Sequence, residues 1–274
     1  VSVTWQGDAP PPAPERIGTA GWVRAALRGG AAVGILYSGL AAMLALRLAE
    51  RPFGAARPLS RHVPRLAFRQ VVRAFGLRYR VIGRPMAHPG AIVANHTGWI
   101  DIVTLSACQQ VTFVSKDDVA RWPGIGMLAR SVGTIFIRRD PKEAAAQQEM
   151  LAARIRAGAR ILIFPEGTST DGQRVLPFKT SLFQTFYNGG LSEVTWVQPV
   201  TVRYTAPEGV DPRFYGWWGD MAFGAHLARV LSARGRGGVE VVFHDPLRVA
   251  DYASRKELAA ASEASVRAAM PASV

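Results

Sequence analysis

The chain has 274 residues, 49% hydrophobic and 19% charged, which suits a globular core with some affinity for membranes. Its formal charge of +13, mostly arginine, attracts anionic lipid headgroups or nucleic acid. No zinc-finger spacing, RNA-recognition aromatic signature or basic helix with heptads accompanies that charge, so nucleic acid is set aside as a partner. The single cysteine, Cys108, excludes an intrachain disulfide and fits a reducing compartment.

Residues 1–16 carry Pro10, Pro11, Pro12 and Pro14 and little to bury, and are expected to be disordered. Residues 17–76 read as membrane-associating helices. Within them, Gly29–Leu46 is uncharged and long enough to cross, or nearly cross, a hydrocarbon layer of ~30 Å. Arg24 and Arg28 precede it, and Arg47, Arg51 and Arg57 follow it, so loop charge gives no orientation. That symmetry fits a helix dipping into one leaflet with both ends near anionic headgroups. A buried Ala/Gly-rich core helix is the competing reading. Residues 61–76 set Val63, Leu66, Ala67, Val71 and Phe75 against Arg61, Arg65, Arg69 and Arg73, the pattern of an amphipathic helix.

From residue 77 to 274 strand-like and helical runs alternate. Strands are expected at 78–82, 91–95, 111–115, 134–138, 160–164, 196–204 and 239–244. Helices are expected at 100–108, 118–130, 141–157, 178–188, 221–234 and 254–268. This alternation argues for an α/β fold with a mixed, largely parallel central sheet flanked by helices. Pro123-Gly124-Ile125-Gly126-Met127 lacks the Gly-Lys-Ser/Thr of a phosphate loop. It reads as a plain turn, or as part of an apolar groove with Leu128.

Asn95-His96-Thr97-Gly98-Trp99-Ile100-Asp101 follows an apolar strand. In a continuous helix five steps of ~100° would hold His96 and Asp101 ~140° apart, so they meet only if the chain turns at Thr97-Gly98. A carboxylate on one imidazole nitrogen fixes the tautomer and leaves the other nitrogen free to take a proton from a hydroxyl. A loop histidine beside a helix N-terminal aspartate is the plain structural alternative. A second apolar run, Ile161–Phe164, leads into Pro165-Glu166-Gly167-Thr168-Ser169, then Gly172 and Pro177-Phe178-Lys179.

With Gly133-Thr134-Ile135-Phe136-Ile137-Arg138-Arg139 between these blocks and Val197-Gln198-Pro199-Val200 after them, the order resembles the glycerolipid acyltransferase family, typified by 1-acylglycerol-3-phosphate O-acyltransferases. The resemblance runs from about residue 70 to 250. It implies acyl transfer from an acyl carrier protein or coenzyme A thioester to a lysolipid hydroxyl. His96 is then the base and Asp101 the group that orients it. A covalent acyl-enzyme is not required, and neither a G-x-S-x-G elbow nor a metal-ligand cluster is visible. No cofactor is expected beyond the thioester co-substrate. Backbone N–H groups near Thr97-Gly98 are candidate oxyanion donors.

The resemblance makes Arg139 the leading ligand for an anionic acceptor, with Arg138 as the alternative and Lys116 and Lys179 as added charge. Glu166, Gly167 and Thr168 are expected to shape the acceptor site. The run from Asp171 to Lys179, with Phe214-Tyr215-Gly216-Trp217-Trp218-Gly219-Asp220-Met221 and His226-Leu227, is similar to the bacterial lyso-ornithine lipid acyltransferases. An arginine for the ornithine carboxylate and Glu166, Asp171 or Asp220 for its ammonium make chemical sense. Lysophosphatidate is the other acceptor the resemblance allows. A non-catalytic lipid-binding protein is the alternative from another class. The expected setting is the inner membrane, on an anionic surface, with the site facing the cytoplasm.

Overall fold

The computed structural model describes residues 4–12, 16–54, 57–121, 124–131, 133–137 and 144–271. The N-terminal helix α1, Thr19–Ala49, is followed by α2, Val63–Ala74. Strands β1, Arg78–Ile82, and β2, Gly90–Ala94, precede α3, Ile100–Cys108. Then come β3, Thr112–Lys116, α4, Ile125–Ser131, β4, Ile135–Ile137, α5, Ala144–Arg156, and β5, Arg160–Ile163. The chain closes with β6, Trp196–Thr205, α6, Phe223–Ser232, β7, Gly238–Phe243, β8, Leu247–Arg248, and α7, Arg255–Ala268.

The strands form one eight-stranded sheet in the order β1-β7-β6-β2-β5-β3-β4, with β8 pairing β6. β6 runs antiparallel to β7 and β8; every other pairing is parallel. The expected mixed, largely parallel sheet is therefore present. β2 sits in the middle and is buried along its whole length, which is why Ala91-Ile92-Val93-Ala94 reads as a continuous apolar run rather than an alternating one. One core layer gathers Ile92, Ala94, Ile100, Leu105, Leu162 and Val202 under α1, α2 and α3. The other gathers Ala91, Val93, Ile161, Val197, Phe183 and Leu258 under α5 and α7. Truncating one such side chain to alanine typically costs about 2–5 kcal/mol.

α1 contains the uncharged run and is long and apolar enough to cross a membrane by length and composition. Trp22, Leu27, Val33, Leu44 and Leu48 stand exposed along it. Three of its flanking arginines, Arg24, Arg28 and Arg47, reach the C-terminal ends of neighbouring helices. Arg24 Nε donates to Ser232 O, and Arg28 Nη1 donates to Leu231 O and Ala233 O, at 2.9–3.0 Å. These are the unpaired carbonyls at the C-terminus of α6, where cations are favoured. Arg47 does the same for α4 through Ser131 O. On α2 the buried face is Val71, Val72 and Phe75, while Leu66 remains 55% exposed. Arg69 Nε caps α3 at Ala107 O, 3.0 Å away.

Two expected helices take other forms. The 118–130 segment divides into a 3-10 helix, Asp117–Arg121, and α4, because Gly124 at φ +72° turns the chain. The 178–188 segment is a 3-10 helix, Thr180–Tyr187. Phe183 and Phe186 are both buried there, and the i, i+3 spacing aligns side chains in a three-residue turn. The N-terminal tail also departs from expectation where it is described. Trp5 packs on Trp218 with ring centroids 6.0 Å apart, and its N–H donates to Thr168 Oγ1 at 3.2 Å. Asp8 pairs with Arg174. One large aromatic ring gives this proline-rich stretch the buried surface that its composition as a whole lacks.

Candidate active site

β2 and β5 are parallel neighbours, with Val93 opposite Ile163. The loops that leave their C-terminal ends, 95–99 and 164–172, therefore emerge side by side. Ligand sites in such sheets lie at those ends. Asn95 extends the pairing beyond the strand: its Nδ2 donates to Val202 O at 2.9 Å, and its Oδ1 accepts from Val202 N at 2.8 Å. The residue before His96 is thus fixed to β6.

His96 Nδ1 lies 2.8 Å from Asp101 Oδ2. Asp101 is fully buried, while the His96 side chain keeps 20% exposure. The chain turns between them as the spacing requires. Asp101 falls in the first turn of α3, and its Oδ2 also accepts the N–H groups of Thr97 at 2.7 Å and Gly98 at 3.0 Å. Asp101 is therefore both the partner of the histidine and a helix N-terminal carboxylate; the two alternatives hold together. The same bonds correct another expectation. Thr97 and Gly98 spend their N–H groups on Asp101 and are not free for an oxyanion. Asp101 Oδ1 accepts the Tyr204 hydroxyl at 2.9 Å, and Tyr204 meets Thr104 Oγ1 at 3.0 Å. Burial pushes the Tyr204 phenol well above its ordinary value, so it stays a donor.

The His96 ring stacks on Phe164, centroids 3.9 Å apart and 15° from parallel. Its backbone is held from two sides. Thr170 N donates to His96 O at 2.9 Å, and His96 N donates to Glu166 Oε1 at 2.6 Å. Glu166 Oε2 accepts Leu176 N at 2.8 Å. Glu166 is 1% exposed, and burial pushes its carboxyl up to about 8, with the Leu176 and His96 N–H groups pulling the other way. Through these two bonds Glu166 fastens the histidine loop.

Gly167, at φ +71°, lies under Lys179, and a Cβ there would fall 3.0 Å from Lys179 Cδ. Thr168 meets Trp5, and the Lys179 N–H returns to Pro165 O at 2.9 Å. Lys116 ends β3, opposite Ile137. Arg138 and Arg139 lie outside the described residues. Asp171 pairs with Arg174 at 3.2 Å, and Asp220 is exposed. Cys108 is buried against Tyr79, 2.7 Å away, and burial pushes its thiol up to about 11, which suits a packed rather than a reactive thiol.

The 214–221 segment crosses the histidine loop. Trp217 N donates to Thr97 O at 2.9 Å, and a Cβ at Gly98 would come within 2.8 Å of Trp217 Cβ. Trp218 is buried, while Trp217, Phe223 and Trp99 form a chain of edge-on contacts. Trp99 Nε1 donates to His226 Nδ1 at 2.9 Å, and burial lowers His226 to about 4, so it is neutral at neutral pH. Sequence reasoning missed Tyr204 and Thr170. Neither stands near His96 in the chain, and only the pairing of β6 with β2 brings the first one in. No group of three or more His, Cys, Asp or Glu side chains suited to a metal occurs among the described residues.

The sequence pattern of the family described as Acyltransferase matches residues 77–203. A lyso-ornithine lipid O-acyltransferase of Rhodobacter capsulatus is 61% identical over 97% of this chain and 96% of its own length. One from Brucella abortus is 39% identical over 84% of this chain and 91% of its own. A 1-acyl-sn-glycerol-3-phosphate acyltransferase of Neisseria gonorrhoeae is 32% identical over 45% of this chain and 48% of its own. Among solved structures, the 1-acyl-sn-glycerophosphate acyltransferase PlsC of Thermotoga maritima shares the fold, with a TM-score of 0.59 at 18% identity over 86% of this chain and 93% of its own. The chain that holds His96 against Asp101 belongs to the acyltransferase family.

Proposed function

We propose that the protein transfers a fatty acyl group from an acyl carrier protein or coenzyme A thioester to the hydroxyl of lyso-ornithine lipid, giving ornithine lipid. The observation that carries the chemistry is the His96 Nδ1 to Asp101 Oδ2 contact of 2.8 Å beneath a partly exposed ring. Asp101 keeps the Nδ1 proton in place, so the lone pair of Nε2 faces outward. Nε2 takes the proton of the acceptor hydroxyl as its oxygen attacks the thioester carbon. The tetrahedral oxyanion collapses, the carbon–sulfur bond breaks, and the thiolate takes the proton back from His96. The new ester and the free thiol leave. No bond to the protein forms in this scheme.

The acceptor reading is supported by the 61% identity to the Rhodobacter capsulatus protein across nearly all of both chains. The sequence similarity to the 1-acyl-sn-glycerol-3-phosphate acyltransferase of Neisseria gonorrhoeae is lower, 32%, and covers 45% of this chain. The exposed apolar side of α1 and the basic surface support work at the cytoplasmic face of the inner membrane. The test offers lyso-ornithine lipid and lysophosphatidate in parallel to purified protein with labelled acyl carrier protein thioester. Acylation of the ornithine acceptor is expected to dominate. Acylation of lysophosphatidate alone would overturn the acceptor, and product from neither would favour a lipid-binding protein.

A further inference from the structure

A polar cavity lies at the far end of α3 from the histidine. Ser106 and Gln109 follow Asp101 by five and eight residues, roughly 8–12 Å along a helix axis. With Arg47, Arg61, Arg65 and Phe113 they line a hollow where the end of α1 and the start of α2 meet the sheet. Its space for a bound group, about 30 Å³, exceeds the ~10–15 Å³ that one water needs. It is far too small for an acyl chain.

The polar atoms here are unusual. Ser106 and Gln109 are 6% and 7% exposed, yet among the described residues Ser106 Oγ and both amide atoms of Gln109 have no hydrogen-bond partner. Arg47 Nε and Arg65 Nε are likewise buried and without a partner among the described residues. Leaving one buried polar atom unpaired costs about 1–3 kcal/mol, so several at one spot call for a ligand. Among the described residues no carboxylate pairs with Arg47, Arg61 or Arg65. The nearby buried carboxylate, Glu50, spends its oxygens on the Leu59 and Ser60 N–H groups, and three guanidinium groups beside it favour an oxyanion over water. The negative end of α3 would oppose an anion, but Arg69 covers it at Ala107 O.

We propose that this cavity binds a phosphoryl group, separate from the site of acyl transfer. Arg47 Nε, Arg65 Nε and the Gln109 amide nitrogen donate to its oxygens, and Gln109 Oε1 accepts from a hydroxyl beside it. A membrane phospholipid and free phosphate share that chemistry. Phe53, Leu59 and Leu66, each more than half exposed on the same α1–α2 corner, offer apolar contact to a lipid.

The test measures thermal unfolding of the full chain in neutral detergent with dioctanoyl phosphatidylglycerol, inorganic phosphate or dioctanoylglycerol. A saturating phosphoryl ligand should raise Tm by roughly 5 °C. Dioctanoylglycerol should not. The rise should vanish in Gln109→Leu and in Arg65→Gln, either of which suffices if the other fails to fold. A rise with phosphatidylglycerol alone assigns the site to the membrane; an equal rise with inorganic phosphate assigns it to the free anion. No rise with either phosphoryl compound, an equal rise with dioctanoylglycerol, or a rise undiminished in the variants would overturn the proposal.

Discussion

Tyr204 donates its hydroxyl to Asp101 Oδ1, the carboxylate oxygen that His96 does not use. One strand residue 103 positions along the chain thereby sets the rotation of the carboxylate that sets the histidine. With the Thr97 and Gly98 N–H groups on Oδ2, both oxygens of a fully buried carboxylate are accounted for. A buried charge is tolerated only when it is so paired.

Tyr204→Phe removes that donor and leaves Oδ1 and Thr104 without their shared partner. The variant should lose about 1.5–3 kcal/mol of stability. Its kcat should fall by less than that of an Asp101 variant, since His96 keeps its own contact. Denaturant unfolding and steady-state rates check both. An unchanged stability would contradict the pairing.

Asp101→Asn keeps the shape but not the charge. An asparagine oxygen can accept from only part of the set that now converges on Asp101, and its amide can hold His96 in the wrong tautomer. The rate should fall roughly 10²–10⁴-fold. Little change in KM would place the effect in the chemical step, and undiminished kcat would contradict the orienting role.

Glu166 gives a pH dependence. Burial raises its carboxyl from 4.5 to about 8. Between those values the unfolded chain has released a proton that the folded chain keeps. The stability from this group is full below about 4.5 and is lost as pH rises through about 8. Glu166→Gln cannot ionise but has one oxygen for two N–H groups. It should be about 1–3 kcal/mol less stable at pH near 6. The two proteins should converge as pH approaches about 9. Unfolding curves over that range decide it; parallel pH profiles would show that Glu166 does not titrate there.

Gly172 supports the histidine loop from beneath. Its φ is +76°, and a Cβ there would stand 2.7 Å from Thr97 Cγ2. Gly172→Ala should lose about 1–2 kcal/mol from the left-handed backbone alone, and more from pushing on Thr97. The loss should appear in kcat as well as in Tm. A variant as stable and active as the parent would show that this loop can shift freely.

The sequence exposed what is local. His96 and Asp101 are five residues apart with a turn between them, and β2 and β5 are continuous apolar runs, so both were legible. The task of Glu166 was not, because its two partners come from opposite sides: His96 across the β2–β5 pairing and Leu176 from its own loop. Tyr204 was hidden for the same reason. The arginines beside the apolar run look alike in sequence, whether they reach headgroups or cap helices. Only the packing of α1 on α6 and α4 tells them apart. The tail at residues 4–12 reads as disordered by composition, because composition averages over the one tryptophan that anchors it.

Acyl transfer turns on His96 taking the acceptor proton, as proposed above. Its most direct measurement is the rate of acyl transfer from labelled acyl carrier protein thioester to lyso-ornithine lipid, in the parent protein and in His96→Ala, with the Tm of both recorded. His96→Ala should lose roughly 10²–10⁴-fold in rate at nearly unchanged Tm. A His96→Ala protein that transfers acyl groups at the parent rate would contradict it.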